Sequence, residues 1–487
     1  MKRFVLLALM TVGCVCVFAQ TPQEKYNAMK QKAQQKYNDS KKKAESDFEA
    51  FRKKANEEYA AAMQRAWEKM KVEPAEEKKE EPAPPMPPAP DPDSKPTTKP
   101  LPQGEVVQPP KEQPPIPAPP IKEPEPAAPT MQFAVYGTTC SVHTDVNGLG
   151  FKLTSVDEKG ASEAWKILSQ KKYDGLLHDC LEQRDKLRLG DWGYICLLQS
   201  ATEKLLGKGT NEAVLLQMYL LTQSGYCVRL GKINGHLELL IPFNSPIVGH
   251  PYTIIGDKNY YMTHKAKVSS VDVCKVGFPR EQIASIMLTE LPMLKGKPQA
   301  KRTFSGKRFG TMTANIGVDK SLIDYMNDYP QCVSIWESYA HAGLSDEVKA
   351  DLYPTLRGQI EGKSKKKAAF MLLDFVHYGF DYATDQEQFG YERPLFGDES
   401  FYYPKNDCED RSILFSILVR DLLGLDVVLV HWPGHLATAV AFDEDIEGDY
   451  FTVDGRRFTV CDPTYIGAKI GETMPRYQNV DAKLIKL

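Results

Sequence analysis

The sequence predicts an α+β protein in which a helix-then-hairpin unit occurs twice, behind a long helix and a proline-rich spacer. Three observations carry that expectation. Helical patterns precede antiparallel strand patterns in the C-terminal part of the chain. One motif occurs twice there without a gap, and the N-terminal part changes composition abruptly. At 487 residues the chain exceeds one ordinary domain. Its net charge of −3 gives no electrostatic case for nucleic acid as a partner.

Residues 1–19 read as a secretory signal peptide. Lys2 and Arg3 precede an apolar run from Phe4 to Phe18, and Val17 and Ala19 stand at −3 and −1 of a cleavage site after Ala19. A lipoprotein anchor at Cys14 is disfavoured, because Thr11 stands where a leucine is expected. The expected location is therefore exported: periplasmic, envelope-associated or secreted. Nothing after the signal peptide is long and apolar enough to span a bilayer. Eight cysteines remain in the mature chain, too sparse for a disulfide scaffold.

Residues 20–72 read as one helix with an eleven-residue repeat. Tyr26, Tyr37, Phe48, Tyr59 and Met70 lie eleven apart, Ala33, Ala44, Ala55 and Ala66 hold a second row, and Met29, Phe51 and Ala62 a third that Ser40 interrupts. Lys32, Lys43, Lys54 and Arg65 keep one flank basic. Eleven residues in three turns give a nearly straight stripe. An apolar stripe on a lone polar helix needs a partner. Self-association through 20–72 is the favoured expectation, with docking on an envelope surface as the alternative.

Residues 73–130 hold 21 of the 35 prolines and no pattern for a packed core, so they read as a disordered, extended spacer. If mostly polyproline II, it reaches on the order of 150 Å. The globular part then divides into 131–300 and 301–487. In the first, strand pattern at 132–143, helix over 161–206 and 212–223, and strands near 226–243 and 252–262 are expected. In the second, 319–380 and 409–423 are helical, with strands near 426–431, 436–442, 450–453 and 457–461.

The duplication rests on matched residues. Gly235-His236-Leu237, Phe243, Thr253 and Gly256 match Gly434-His435-Leu436, Phe442, Thr452 and Gly455 in one register. In that register Gly209 falls opposite Cys408, with Asn211 close by, and Thr263 opposite Asp462. The first copy keeps only the histidine, His236, so a degenerate copy with a structural or binding role is expected.

Three local features converge in the second copy. Cys408 follows Asp407, a good helix N-cap, and precedes Glu409 and Asp410 in a first helical turn. A thiol at a helix N-terminus beside a histidine is expected to have a lowered pKa, and the N–H groups there suit an oxyanion. The turn Pro433-Gly434 delivers His435 to a strand start, where it can act as base and then acid. Asp462 ends a strand before Pro463 and can fix the imidazole tautomer. Taken singly, these are a buried helix-start cysteine, a turn histidine and a turn aspartate. A zinc set of Cys408, His431, His435 and Cys461 is disfavoured, because Pro433 keeps the histidines off one helical face and no CxxC pair exists. No metal or cofactor is implied.

Together the stretches Asn406-Asp407-Cys408-Glu409-Asp410-Arg411, Pro433-Gly434-His435-Leu436-Ala437-Thr438-Ala439-Val440 and Cys461-Asp462-Pro463-Thr464-Tyr465 resemble the transglutaminase-like, papain-related superfamily. Phe389-Gly390-Tyr391-Glu392 and the helix before it extend the likeness to about 365–475, most similar to the exported bacterial branch. The resemblance implies a core in which a helix carrying Cys408 packs on an antiparallel sheet carrying His435 and Asp462. It makes Cys408 the nucleophile, His435 the general base and Asp462 its orienter, and it implies a protein or peptide substrate. Tyr402, Tyr403 and Asn406 are candidates for a second oxyanion donor. The expected chemistry is acyl transfer through a thioester: hydrolysis of peptide or amide bonds, with a cross-linking transglutaminase as the alternative. A non-enzymatic envelope or assembly protein is the reading from another class.

Overall fold

The computed structural model describes residues 22–65, 67–75, 89–90, 96–108, 116–121, 128–170, 173–263, 268–332 and 335–487. The expected signal peptide and much of the proline-rich spacer lie outside them. The chain forms two compact units, one comprising residues up to Lys54 with Pro120–Lys122 and the other the remainder. The architecture is mixed α+β, with antiparallel pairing dominant in its sheets.

The long helix runs Pro22–Met63. Pro22 sits at its first position, where a missing N–H costs nothing, and no glycine or further proline interrupts it. In the first unit its stripe is exposed: Tyr26 is 62%, Met29 73% and Tyr37 63% accessible. In the second unit the same stripe is buried at Ala55, Tyr59 and Met63. There Tyr59 packs on Trp165 with ring centroids 4.7 Å apart, and Asn56 accepts from Trp165 Nε1 at 2.9 Å.

The helix expected over 20–72 is shorter than its repeat suggested. Trp67 Nε1 donates to Met63 O at 3.2 Å at the helix end, and Glu68–Lys71 is a strand. Met70 keeps the eleven-residue spacing only by coincidence. The spacer expected over 73–130 is also more than a spacer, because its residues Gln103–Val107 form a strand of the second sheet.

Two six-stranded sheets have the same strand order. The first runs Glu68–Lys71, Ser270–Cys274, Arg229–Ile233, His236–Ile241, Lys258–Met262, Tyr252–Ile255; the second runs Gln103–Val107, Ala482–Lys486, Val427–Trp432, His435–Val440, Arg456–Cys461, Tyr450–Val453. Each central hairpin turns on two residues. Asn234 and Gly235 both have positive φ (51° and 81°), whereas Pro433-Gly434 needs it only at Gly434 (70°).

In both sheets a segment from upstream of the duplication bonds both edges. Glu68–Lys71 pairs with Ser270–Cys274, and Glu73 then exchanges hydrogen bonds with Tyr252 at the far edge. In the second, Leu101 N donates to Tyr450 O (2.9 Å) and Tyr450 N to Lys99 O (3.1 Å), before Gln103–Val107 pairs in parallel with Ala482–Lys486. The upstream segment thus pairs with one edge strand and bridges to the first residue of the strand at the other edge.

Each central hairpin follows a helix, Asn211–Gln223 in the first copy and Cys408–Leu423 in the second. The second packs against the strand His435–Val440 and the helix Lys365–Gly379. Its end at Gly424, φ 63°, is the left-handed stop that glycine permits.

Candidate functional site

Cys408 is the first residue of its helix and is buried, 3% accessible. Asp407 caps the helix, and Asp410 returns a hydrogen bond to the Asp407 N–H at 3.3 Å. Ser412, one turn on, donates to Leu436 O at 2.9 Å and ties the helix to the histidine strand. Leu436 in turn packs with Cys408 in one buried cluster. The helix start is thus locked to the residue that follows His435.

His435 Nε2 and Asp462 Oδ2 are 2.9 Å apart, both side chains nearly inaccessible. A carboxylate can only accept here, so Nε2 carries the proton and Nδ1 is left as the basic nitrogen. The other carboxylate oxygen, Oδ1, accepts from Thr464 N (2.9 Å) and Tyr465 N (3.1 Å). Burial opposes the charge of Asp462, but His435 and these two N–H groups outweigh it and hold the carboxyl below its usual range. The His435 ring lies parallel to Tyr477 (5.3 Å, 3°) and to Trp432 (6.2 Å, 10°), which fixes its plane.

The structure therefore brings His435 and Asp462 together and sets Cys408 against the next residue along. Among the described residues no hydrogen bond joins the Cys408 thiol to the His435 ring. The thiol instead donates to Glu409 Oε2 at 3.2 Å.

The lowered thiol pKa expected from the helix N-terminus is overturned. Burial, then Glu409 and Asp407, push the Cys408 thiol well above its ordinary value, and the Leu436 N–H opposes them only in part. Burial, with the neighbouring acids added to it, outweighs the helix-start dipole. More acids stand behind them. Asp385 N donates to Asp407 Oδ2 (3.3 Å), and Leu395 N to Asp410 Oδ1 (2.8 Å). Burial and mutual repulsion raise the carboxyls of Asp407 and Asp410, and that of Asp385 to about 10.

Donor atoms of Asp407, Cys408 and Glu409, and of Asp385, Glu392 and Glu409, lie within 4.8 Å of one another.

Of the candidate oxyanion donors, Tyr403 commits its hydroxyl to Asn327 Oδ1 at 2.9 Å, and the carbonyl of Tyr402 accepts from Arg302. Asn406 differs. Its Oδ1 accepts from Arg411 Nε at 2.9 Å, which fixes the amide, while its buried Nδ2 has no partner among the described residues.

The first copy places Asn211, not Gly209, where Cys408 stands. Asn211 is likewise the first residue of its helix, and its Oδ1 accepts from Leu237 N at 2.8 Å, while Cys408 packs against Leu436. Gly209 is an exposed residue before the N-cap Thr210, whose Oγ1 accepts from Ala213 N. The ungapped register missed this because the first helix and its following loop differ in length from the second. His236 is exposed at its strand start, and Thr263 Oγ1 donates to Glu238 Oε1 (3.2 Å).

Two participants escaped the sequence reading. Glu409 reads as an ordinary first-turn acid, and only the folded thiol contact gives it a role. His377, like Asp374, is a polar residue among the apolar Leu372, Leu373, Phe375 and Val376, and polar residues inside that run were the available signal. No family model, no curated protein and no solved structure matches the chain.

Proposed function

We propose that the chain is a transglutaminase-like cysteine-nucleophile enzyme that cleaves peptide or amide bonds through a thioester. The observation that supports this most is the buried His435–Asp462 pair beside the helix that begins at Cys408. In this reading His435 Nδ1 takes the thiol proton as Sγ attacks the substrate carbonyl. The carbonyl electrons move to oxygen, where the helix-start N–H groups and the Asn406 amide stabilise the charge. The tetrahedral adduct collapses as His435 returns the proton to the leaving amine. Water, deprotonated by His435, then cleaves the thioester to a carboxylic acid and restores the thiol. A lysine amine in place of water gives the cross-linking alternative.

The test is a peptide-mixture digest read for new amines, released ammonia and lysine cross-links. Cys408→Ala abolishes all product if the reading holds, and product formation by that variant contradicts it. The buried, protonated thiol favours one second reading, a non-enzymatic binding or assembly protein. Absence of product from the wild type together with an inert Cys408 supports that reading.

The exposed part of the long helix supports a further part of the proposal, pairing with a second copy. The stripe that carries Tyr26 and Tyr37 continues to Tyr59, which packs on a helix. Residues 22–43 carry seven lysines against Glu24 and Asp39, so pairing strengthens as salt screens the like charges. Sedimentation that stays monomeric at high salt contradicts it. Export through residues 1–19 completes the reading.

A further inference from the structure

We propose that His377 is a positioning residue for Asp462 and, through it, for the His435 ring; the inference rests on the enzymatic reading above. His377 lies on the helix Lys365–Gly379 and is 1% accessible. Its Nε2 stands 2.9 Å from the main-chain O of Asp462, and Gly467 N donates to its Nδ1 at 3.4 Å. A carbonyl only accepts and an amide N–H only donates, so the ring is the neutral tautomer with the proton on Nε2. One side chain thus ties both ends of the turn from Asp462 to Gly467. Within that turn the Asp462 carboxylate takes the Thr464 and Tyr465 N–H groups on one oxygen and His435 on the other.

The far end of the turn is fixed as well. Gly467 has φ +96°, a conformation that glycine holds without strain, and Arg308 Nη2 donates to its carbonyl at 2.6 Å. The charged groups that act on His377 are Asp462, Arg411 and Arg308. Burial first, with the two guanidinium groups, lowers its pKa to about 4. His377 therefore keeps one protonation state while His435 exchanges protons, which suits a fixed strut and excludes a second base.

A histidine that merely fills the core would affect stability and leave the His435–Asp462 bond alone. Two amides separate these roles. His377→Gln places its Nε2 near the position of the imidazole Nε2 and keeps the donor to Asp462 O. His377→Asn is as polar but too short to reach it. The measurement is solvent exchange of the His435 Nε2–H proton, by NMR on protein with 15N-labelled histidine, assigned by its loss in His435→Gln. Exchange speeds by about tenfold or more in H377N and stays within about threefold of wild type in H377Q. Equal exchange in H377N and wild type overturns the proposal, as does a loss in H377Q as large as that in H377N. Cys408 alkylation in the same samples judges the enzymatic reading separately. An inert Cys408 in the wild type removes that reading, while the exchange rates still decide whether His377 holds the pair.

Discussion

The two helix-and-hairpin copies share a scaffold and a histidine and differ at two of the three site positions. Cys408, His435 and Asp462 in the second stand where Asn211, His236 and Thr263 do in the first. Asn211 and Cys408 both begin a helix and both lie against the residue that follows the histidine, so that contact belongs to the scaffold. What distinguishes the second copy is a carboxylate behind the histidine and a wall of buried acids around the thiol. The first copy has instead an exposed His236 and a threonine bonded to Glu238. A scaffold alone therefore does not make the site; burial and the partner of the imidazole do.

Substitutions can break or sharpen that contrast. The largest effect is expected from Asp462→Ala, which leaves His435 in place without its orienter. Turnover on any substrate found should fall by about 10²-fold or more, whereas Thr263→Ala leaves it unchanged. Comparable losses in both variants would dissolve the distinction between the copies.

Glu409→Gln comes next. Removing the charge that holds the thiol proton should speed Cys408 alkylation at neutral pH by about tenfold, the equivalent of one pKa unit. A slower Cys408 in that variant would show that Glu409 does more than retain the proton.

Asp385→Asn tests the acid wall through stability. A carboxyl raised to about 10 in the folded state favours folding below the unfolded value near ~4, and that contribution is lost as pH rises toward ~10. The variant should lose less stability than wild type between pH 6 and pH 9, by about 1 kcal/mol or more, in urea midpoints at the two pH values. Parallel declines would remove Asp385 from the wall. The smallest effect is expected from Asn211→Ala, about 1 kcal/mol of stability from the freed Leu237 N–H, with Cys408 reactivity untouched.

Much of this was legible in the chain because it is written in local chemistry. The turn Pro433-Gly434 and the cap Asp407 fix where the second hairpin and its helix begin. The order of Cys408, His435 and Asp462 followed from them. What was not legible depends on distant partners. The strand Gln103–Val107 was hidden among prolines, although Val106 and Val107 are an adjacent apolar pair there. The helix end at Met63 was masked by a repeat that Met70 continues by accident. The raised thiol depends on Asp407 and Glu409 acting through burial, and the raised acids behind it on Asp385, over twenty residues upstream. No local pattern weighs that burial against a helix dipole.

The most direct test of the central claim is the alkylation rate of each cysteine in the folded protein between pH 6 and pH 9, by peptide mass spectrometry, beside His435→Ala. Cys461, fully buried and without a base, is the internal reference. The account predicts that Cys408 reacts well ahead of Cys461, that His435→Ala removes this lead, and that His236→Ala does not. A Cys408 as slow as Cys461 in wild type, or one indifferent to His435, would contradict it.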